Sequence, residues 1–111
     1  MKRLAFALSL VLLAGCVTGA HLVTGNPHPK LVVEAVKVYQ TTPRGAEVIG
    51  TVVAQSLGAD QCALDRSLAE LKRQAARIGA NGIVPRTPTF TPGGFLTDPT
   101  TQLSAQAIYV P

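Results

Sequence analysis

The chain has 111 residues and a formal net charge of +4, from ten Lys and Arg against six Asp and Glu. That length holds one small domain and not two. It carries no run of like charge and no basic stripe interleaved with aromatics, which argues against nucleic acid as a partner.

The first readable element is the N-terminal segment. Lys2 and Arg3 precede ten residues, Leu4 to Leu13, of which only Ser9 is polar. A bilayer span needs about 20 apolar residues, so this is a secretory apolar region and not an anchor helix. It closes on Leu13-Ala14-Gly15-Cys16, and the whole pattern resembles a bacterial lipoprotein signal; the bland alternative is an ordinary signal peptide or a buried helix. The resemblance implies cleavage before Cys16, a diacylglycerol thioether on Cys16, and N-acylation of the new terminus. Each buried methylene contributes about 0.8 kcal/mol, so two or three acyl chains hold firmly where one is marginal. Val17 is not the aspartate associated with inner-membrane retention, which for a double-membrane bacterium implies the outer membrane, facing the periplasm. Residues 1–15 then form the signal peptide, and the mature chain keeps eight basic and six acidic side chains, a net of +2. With Cys16 lipidated, Cys62 is the one thiol left, and the fold has to stand without an intramolecular disulfide.

Residues 16–29 read as a flexible tether, because Gly19, Gly25 and the Asn26-Pro27-His28-Pro29 run disfavour regular structure. Residues 30–111 read as a small domain. Leu31 to Gln40 is β-rich, Thr42-Pro43-Arg44-Gly45 is a turn, and Ala46 to Gln55 alternates small or apolar even positions with Glu47, Thr51 and Gln55. The pair predicts a β-hairpin. Asp60 is a helix N-cap, and the helix predicted from Gln61 to Ile78 places Leu64, Leu68, Leu71, Ala75 and Ile78 within about 80° of arc. Arg66, Glu70, Arg73 and Arg77 take the opposite, solvated side, and Gly79 ends the helix. A short strand near Gly82 to Arg86, a Thr/Pro/Gly-rich stretch over 87–101 and a final strand from Gln102 to Val110 complete a ββαββ order. The expected class is α+β, two layers, with one amphipathic helix on a mainly antiparallel four-stranded sheet.

Ile49-Gly50-Thr51-Val52-Val53-Ala54, followed by a helix that ends in Gln74-Ala75-Ala76-Arg77-Ile78-Gly79-Ala80-Asn81-Gly82-Ile83-Val84, resembles the RcsF-like and YbjQ-like small domains over roughly residues 46–86. The resemblance implies the same fold. The first group are outer-membrane lipoproteins that sense envelope stress, and the second are small cytoplasmic proteins labelled heavy-metal binders. Those sensors hold the domain with several disulfide cysteines, whereas this chain offers Cys62 alone.

Three features are candidates for chemistry or contact. Cys62 falls in the first helical turn, about 160° from the apolar stripe, with Arg66 one turn along. It is either a reactive or intermolecularly paired thiol or a small, partly covered hydrophobe. Phe90, Phe95 and Leu96 in the 87–101 stretch either contact a partner or fold back on the core. His21 and His28, both in the predicted tether, do not supply the convergent ligands of a metal site. No histidine base, nucleophile elbow or phosphate loop lies in the domain, and no cofactor is implied. The sequence therefore points to a non-enzymatic, lipid-anchored protein of the cell envelope. Its domain would bind or sense another envelope component, such as an outer-membrane or periplasmic protein. The alternative is a ligand- or metal-binding module, possibly homo-oligomeric.

Overall fold

A computed structural model describes residues 17–111. The predicted signal segment 1–15 and the predicted lipidation site Cys16 lie outside the described residues. Six strands and one helix follow in the order β1 (Val17–Val23), β2 (Lys37–Val38), β3 (Glu47–Leu57), α1 (Gln61–Arg77), β4 (Gly82–Pro85), β5 (Thr89–Thr91) and β6 (Thr100–Tyr109). The class is α+β, with α1 packed on one face of a single sheet ordered β1-β3-β6-β4-β2, and β5 paired with the start of β6. The sheet is mixed, because β2 runs parallel to β4 while every other pair is antiparallel.

Two expectations fail for one reason. Residues 17–23, predicted as part of a tether, form β1 and pair with β3 from Val17 opposite Ser56 to Val23 opposite Gly50. The other edge of β3 is taken by β6 over its full length. A strand has two hydrogen-bonding edges, so the β-rich stretch from Leu31 to Gln40 finds none free on β3, and the predicted hairpin does not form. That stretch instead makes a 3-10 turn at Val33–Ala35 and then runs parallel to β4, with Lys37 N–H donating to Asn81 and Tyr39 N–H to Ile83. The sheet therefore has six strands, and the four-stranded ββαββ description does not hold.

The alternation along β3 shifts phase at a bulge between Val48 and Gly50. A bulge places one extra residue opposite the partner strand and swaps which side chains point inward beyond it. Ile49 is thereby fully buried, as are Val52 and Ala54, while Val48 is exposed. The inner face of β6 contributes Leu103, Ala105 and Ala107, β4 contributes Ile83, and α1 contributes Leu71, Ala75 and Ala76 to the same core.

Helix α1 begins where predicted: the Asp60 carboxylate accepts from the Ala63 N–H at 2.9 Å. Its buried face is rotated from the predicted stripe. Ala63, Ser67, Leu71, Gln74 and Ala75 are buried, while Leu64 and Leu68 pack at the margin of the core beside Val33. Two small serines explain part of the shift. Ser56 of β3 and Ser67 of α1 share a hydrogen bond of 2.7 Å, and Ser56 Oγ donates to the Ala63 carbonyl at 2.7 Å. Buried hydroxyls that satisfy each other avoid the desolvation cost of an orphaned polar group.

The helix stops at Gly79, whose φ of +79° is the left-handed conformation that glycine adopts without penalty. The incoming segment wraps this end: His28 N–H donates to the Ile78 carbonyl at 3.1 Å and Leu31 N–H to Ala76 at 2.9 Å. The His28 ring stacks on Tyr109 with centroids 3.9 Å apart, and its Nε2 lies 3.1 Å from Glu47. A Cβ on Gly79 would collide with the His28 carbonyl oxygen as well as strain the backbone. Gly79→Ala should therefore destabilise the fold by more than about 1 kcal/mol in urea unfolding, and hydrogen exchange should show the 26–31 segment losing protection first. The core sets a second expectation: Leu71→Ala, at a fully buried site, should cost about 2–5 kcal/mol in the same assay.

Candidate functional site

The two faces of the sheet differ in chemistry. On the covered face, β1 lies against α1 through polar and small residues. Gly19 sits against the Glu70 and Gln74 side chains, and His21 Nδ1–H donates to Gln74 Oε1 at 2.8 Å. Gln74 Nε2 in turn donates to Glu70 at 2.8 Å, and Arg73 Nε donates to the other Glu70 oxygen at 2.8 Å. Glu70, predicted on the solvated side, is thus the hub of this network, with only 12% of its side chain exposed. Arg66, predicted on the same solvated side, donates to the Leu57 carbonyl at 2.8 Å.

Opposite residues of an antiparallel pair project to the same side of the sheet. The registers therefore put Thr18, Ala20 and Leu22 of β1 beside Gln55, Val53 and Thr51 of β3, and these beside Gln102, Ser104 and Gln106 of β6. Thr89 and Thr91 of β5 extend the row. None of these open-face positions carries a charge. At the β4 side the face is capped: Tyr39 lies near Gly82 and Ile108, and Thr42 Oγ1 donates to Gln106 at 3.2 Å. At the β1 side it is open, with Leu22 at 66% exposure. A shallow groove of ≈ 260 Å³ runs there, lined by Ala20, His21, Leu22, Thr51 and Val53. A larger hollow of ≈ 510 Å³ on the helix side is bordered by Val33, Leu68, Glu34, Asp65, Lys72 and Arg73, a mixed-charge rim.

The predicted contact residues separate into two places. Phe90 belongs to β5, opposite Thr101, and is about half exposed at 49%. Phe95 and Leu96 stand at the apex of the 92–99 loop with exposures of 100% and 89%. Neither of the pair folds back on the core, so the packing alternative is removed for them. Cys62 is an exposed free thiol on the outer side of the first turn, as its position around the helix predicts. His21 and His28 lie apart, one on β1 against Gln74 and one at the helix end against Glu47. Among the described residues, no group of three or more His, Cys, Asp or Glu converges on one point.

The open face went unread in the sequence because it depends on β1. A polar, glycine-containing segment gave no strand signal, and without it the Ala20–Leu22 row has no neighbour. The usable signal was the absence of charge at alternate positions of β3 and β6.

No family model matches the chain, and no curated protein matches it. Among solved structures, it is similar to the crystal structure of a Francisella virulence factor, FvfA, with a TM-score of 0.65 and 22% sequence identity. The match covers 82% of this chain and 96% of that one. At that identity the likeness shows a shared fold and nothing further.

The exposure of Cys62 sets a measurable expectation. N-ethylmaleimide should modify Cys62 in the native protein as fast as in urea, read by peptide mapping. Cys62→Ser should leave stability within about 0.5 kcal/mol of the parent.

Proposed function

We propose that the chain is a bacterial envelope lipoprotein, anchored through acyl chains on Cys16 to the outer membrane and facing the periplasm. Its domain is a non-enzymatic module that binds another envelope component on the open face of the sheet. The anchoring half rests on the run from Lys2 to Cys16, in which two basic residues, ten nearly unbroken apolar ones and a small-residue approach to cysteine occur in the order that lipoprotein processing requires. The likeness of residues 46–86 to RcsF-like domains belongs to the same reading, since those domains are carried by outer-membrane lipoproteins. No helix among the described residues is long and apolar enough to cross a membrane, so in this reading the lipid is what attaches the domain.

One observation carries the binding half: the open face carries no charge across β1, β3, β5 and β6, with Lys37 of β2 set apart at the capped side. Side chains such as Thr, Gln, Ser, Ala, Val and Leu can be covered by a partner without stranding an ion, whereas a charged face would need matched counter-charges to be buried. Leu22 and Val53 supply apolar area at its accessible end, and the threonines and glutamines around them supply hydrogen bonds. The groove beside Leu22 is smaller than the ~300–1,000 Å³ usual for small-molecule sites, which favours a protein surface over a small ligand.

Two measurements test this reading. Mass spectrometry of the membrane-extracted protein should find the mature N-terminal peptide beginning at an acylated Cys16, and Cys16→Ala should abolish both cleavage and acylation. A photo-crosslinking residue at Leu22 or Val53 should capture a discrete envelope protein in intact cells. Leu22→Glu should abolish that capture while leaving the melting temperature unchanged. An unmodified Cys16 would remove the anchor. Capture that is absent at both positions, together with a melting shift on adding a small molecule, would replace the protein partner with a ligand.

A further inference from the structure

We infer that the apex of the 92–99 loop is a second membrane contact, with Phe95 and Leu96 inserted at the lipid–water boundary beside the acylated N-terminus. This rests on the anchoring reading above and adds to it a fixed pose of the domain on the bilayer.

The inference starts from topology. Val17, the first residue of β1, is one peptide bond from Cys16 and lies opposite Ser56, near the end of β3. Ser56 in turn lies opposite Thr101 at the beginning of β6, and Thr91 of β5 lies opposite Thr100. The chain that leaves β5 at Thr91 and re-enters at Thr100 therefore hangs from the same end of the sheet at which the N-terminus emerges. Neighbouring strands are spaced about 4.8 Å apart, so β5, three strands from β1, places the base of the loop roughly 15 Å to the side of Val17. With no slack chain between Cys16 and the sheet, an anchor on that cysteine holds this end of the domain against the membrane surface.

The loop is built for presenting an apolar tip. Gly94 N–H donates both to the Thr97 carbonyl at 2.9 Å and to Thr97 Oγ1 at 2.8 Å, closing a turn with Phe95 and Leu96 as its two apex residues. Its base is tied down as well. Gly58 N–H donates to the Pro99 carbonyl at 2.7 Å, and Thr101 Oγ1 donates to the Gly58 carbonyl at 2.7 Å. A pinned turn that leaves two large apolar side chains almost wholly in water is not explained by packing. Phe and Leu are side chains suited to the boundary between headgroups and acyl chains. Leu57, 45% exposed and opposite Thr100, adds apolar surface on the same end. The nearest charged groups are not part of the apex: Asp98 follows it by two residues in the chain, and Asp60 and Arg66 lie at the Gly58 turn, beside the base of the loop. Phe90, held in β5, is not part of the contact.

A protein with no tryptophan allows a clean test. Phe95→Trp and, as a control at the far end of the sheet, Arg44→Trp are made in the full chain, produced with its lipid. Each is reconstituted into phosphatidylethanolamine–phosphatidylglycerol vesicles with and without brominated acyl chains. Unchanged melting temperatures confirm that both variants fold. The expected result is a blue-shifted indole emission from position 95 that bromine quenches several-fold more than emission from position 44. Equal, weak quenching at both positions, in protein that floats with the vesicles and carries acylated Cys16, would overturn the second contact and leave the anchor standing. A chain whose Cys16 is unmodified and which does not float would overturn the anchor, and the second contact with it.

Discussion

Strand β3 is hydrogen-bonded on both of its edges, to β1 and to β6, and the rest of the architecture follows from that occupancy. It excludes the hairpin that the Leu31–Gln40 text invites and sends that segment across the helix end to a parallel pairing with β4. It also demands close approach. A side chain on Gly50 would meet the Leu22 carbonyl, and one on Gly19 would meet Glu70 and Gln74. The glycines at these two points let β1 lie flush between β3 and α1. The bulge at Ile49 then turns the last residues of the β3–β6 ladder so that Glu47 reaches His28 and Tyr109, which close the domain at the helix C-terminus.

The elements governed by local chemistry were legible in the sequence. Asp60 and Gly79 bracket α1 because a cap and a left-handed residue act within one turn of the chain. The strands at Gly82 and at Gln102 were legible for a similar reason, since apolar text there is bounded by turn residues. What escaped was decided by tertiary pairing. Where β1 meets α1, exposed Gly19 and His21 lie against buried Gln74 and largely covered Glu70, and Ser67 is buried against Ser56 of β3, all residue types that read as surface or linker. Covering Gln74, Glu70 and the two serines is tolerable only because each polar group finds another: Gln74 with His21, Ser56 with Ser67, Glu70 with Arg73. Hydropathy cannot show such pairings. The same holds for the sites. Phe95 and Leu96 stood out as apolar residues in a polar loop, yet the end of the sheet that their loop shares with Val17 depends on strand order, which a linear reading does not contain.

Charge is distributed unequally over the two sides of the domain. The helix carries Asp65, Arg66, Glu70, Lys72, Arg73 and Arg77, while the open face of β1, β3, β5 and β6 carries none. An uncharged face that ends in an exposed, seven-residue edge strand is the arrangement that proteins guard against, because such an edge invites pairing with other chains. Here the guard is partial. The segment around Tyr39 and Thr42 covers the β4 side, and the β1 side is left free. That asymmetry makes the free side the natural place for recognition.

The strand that leads out of the domain toward residue 16 is held to β3 by a ladder of seven paired residues. Any tug on the chain at that point, directed along the strand, is met by the whole β1–β3 ladder in shear, with its hydrogen bonds sharing the load at once. Peeling them open one by one would need a pull across the sheet. The exit of the chain at Val17 is therefore mechanically stiff, and a pull on it is passed directly into β3 without first being taken up by loose chain.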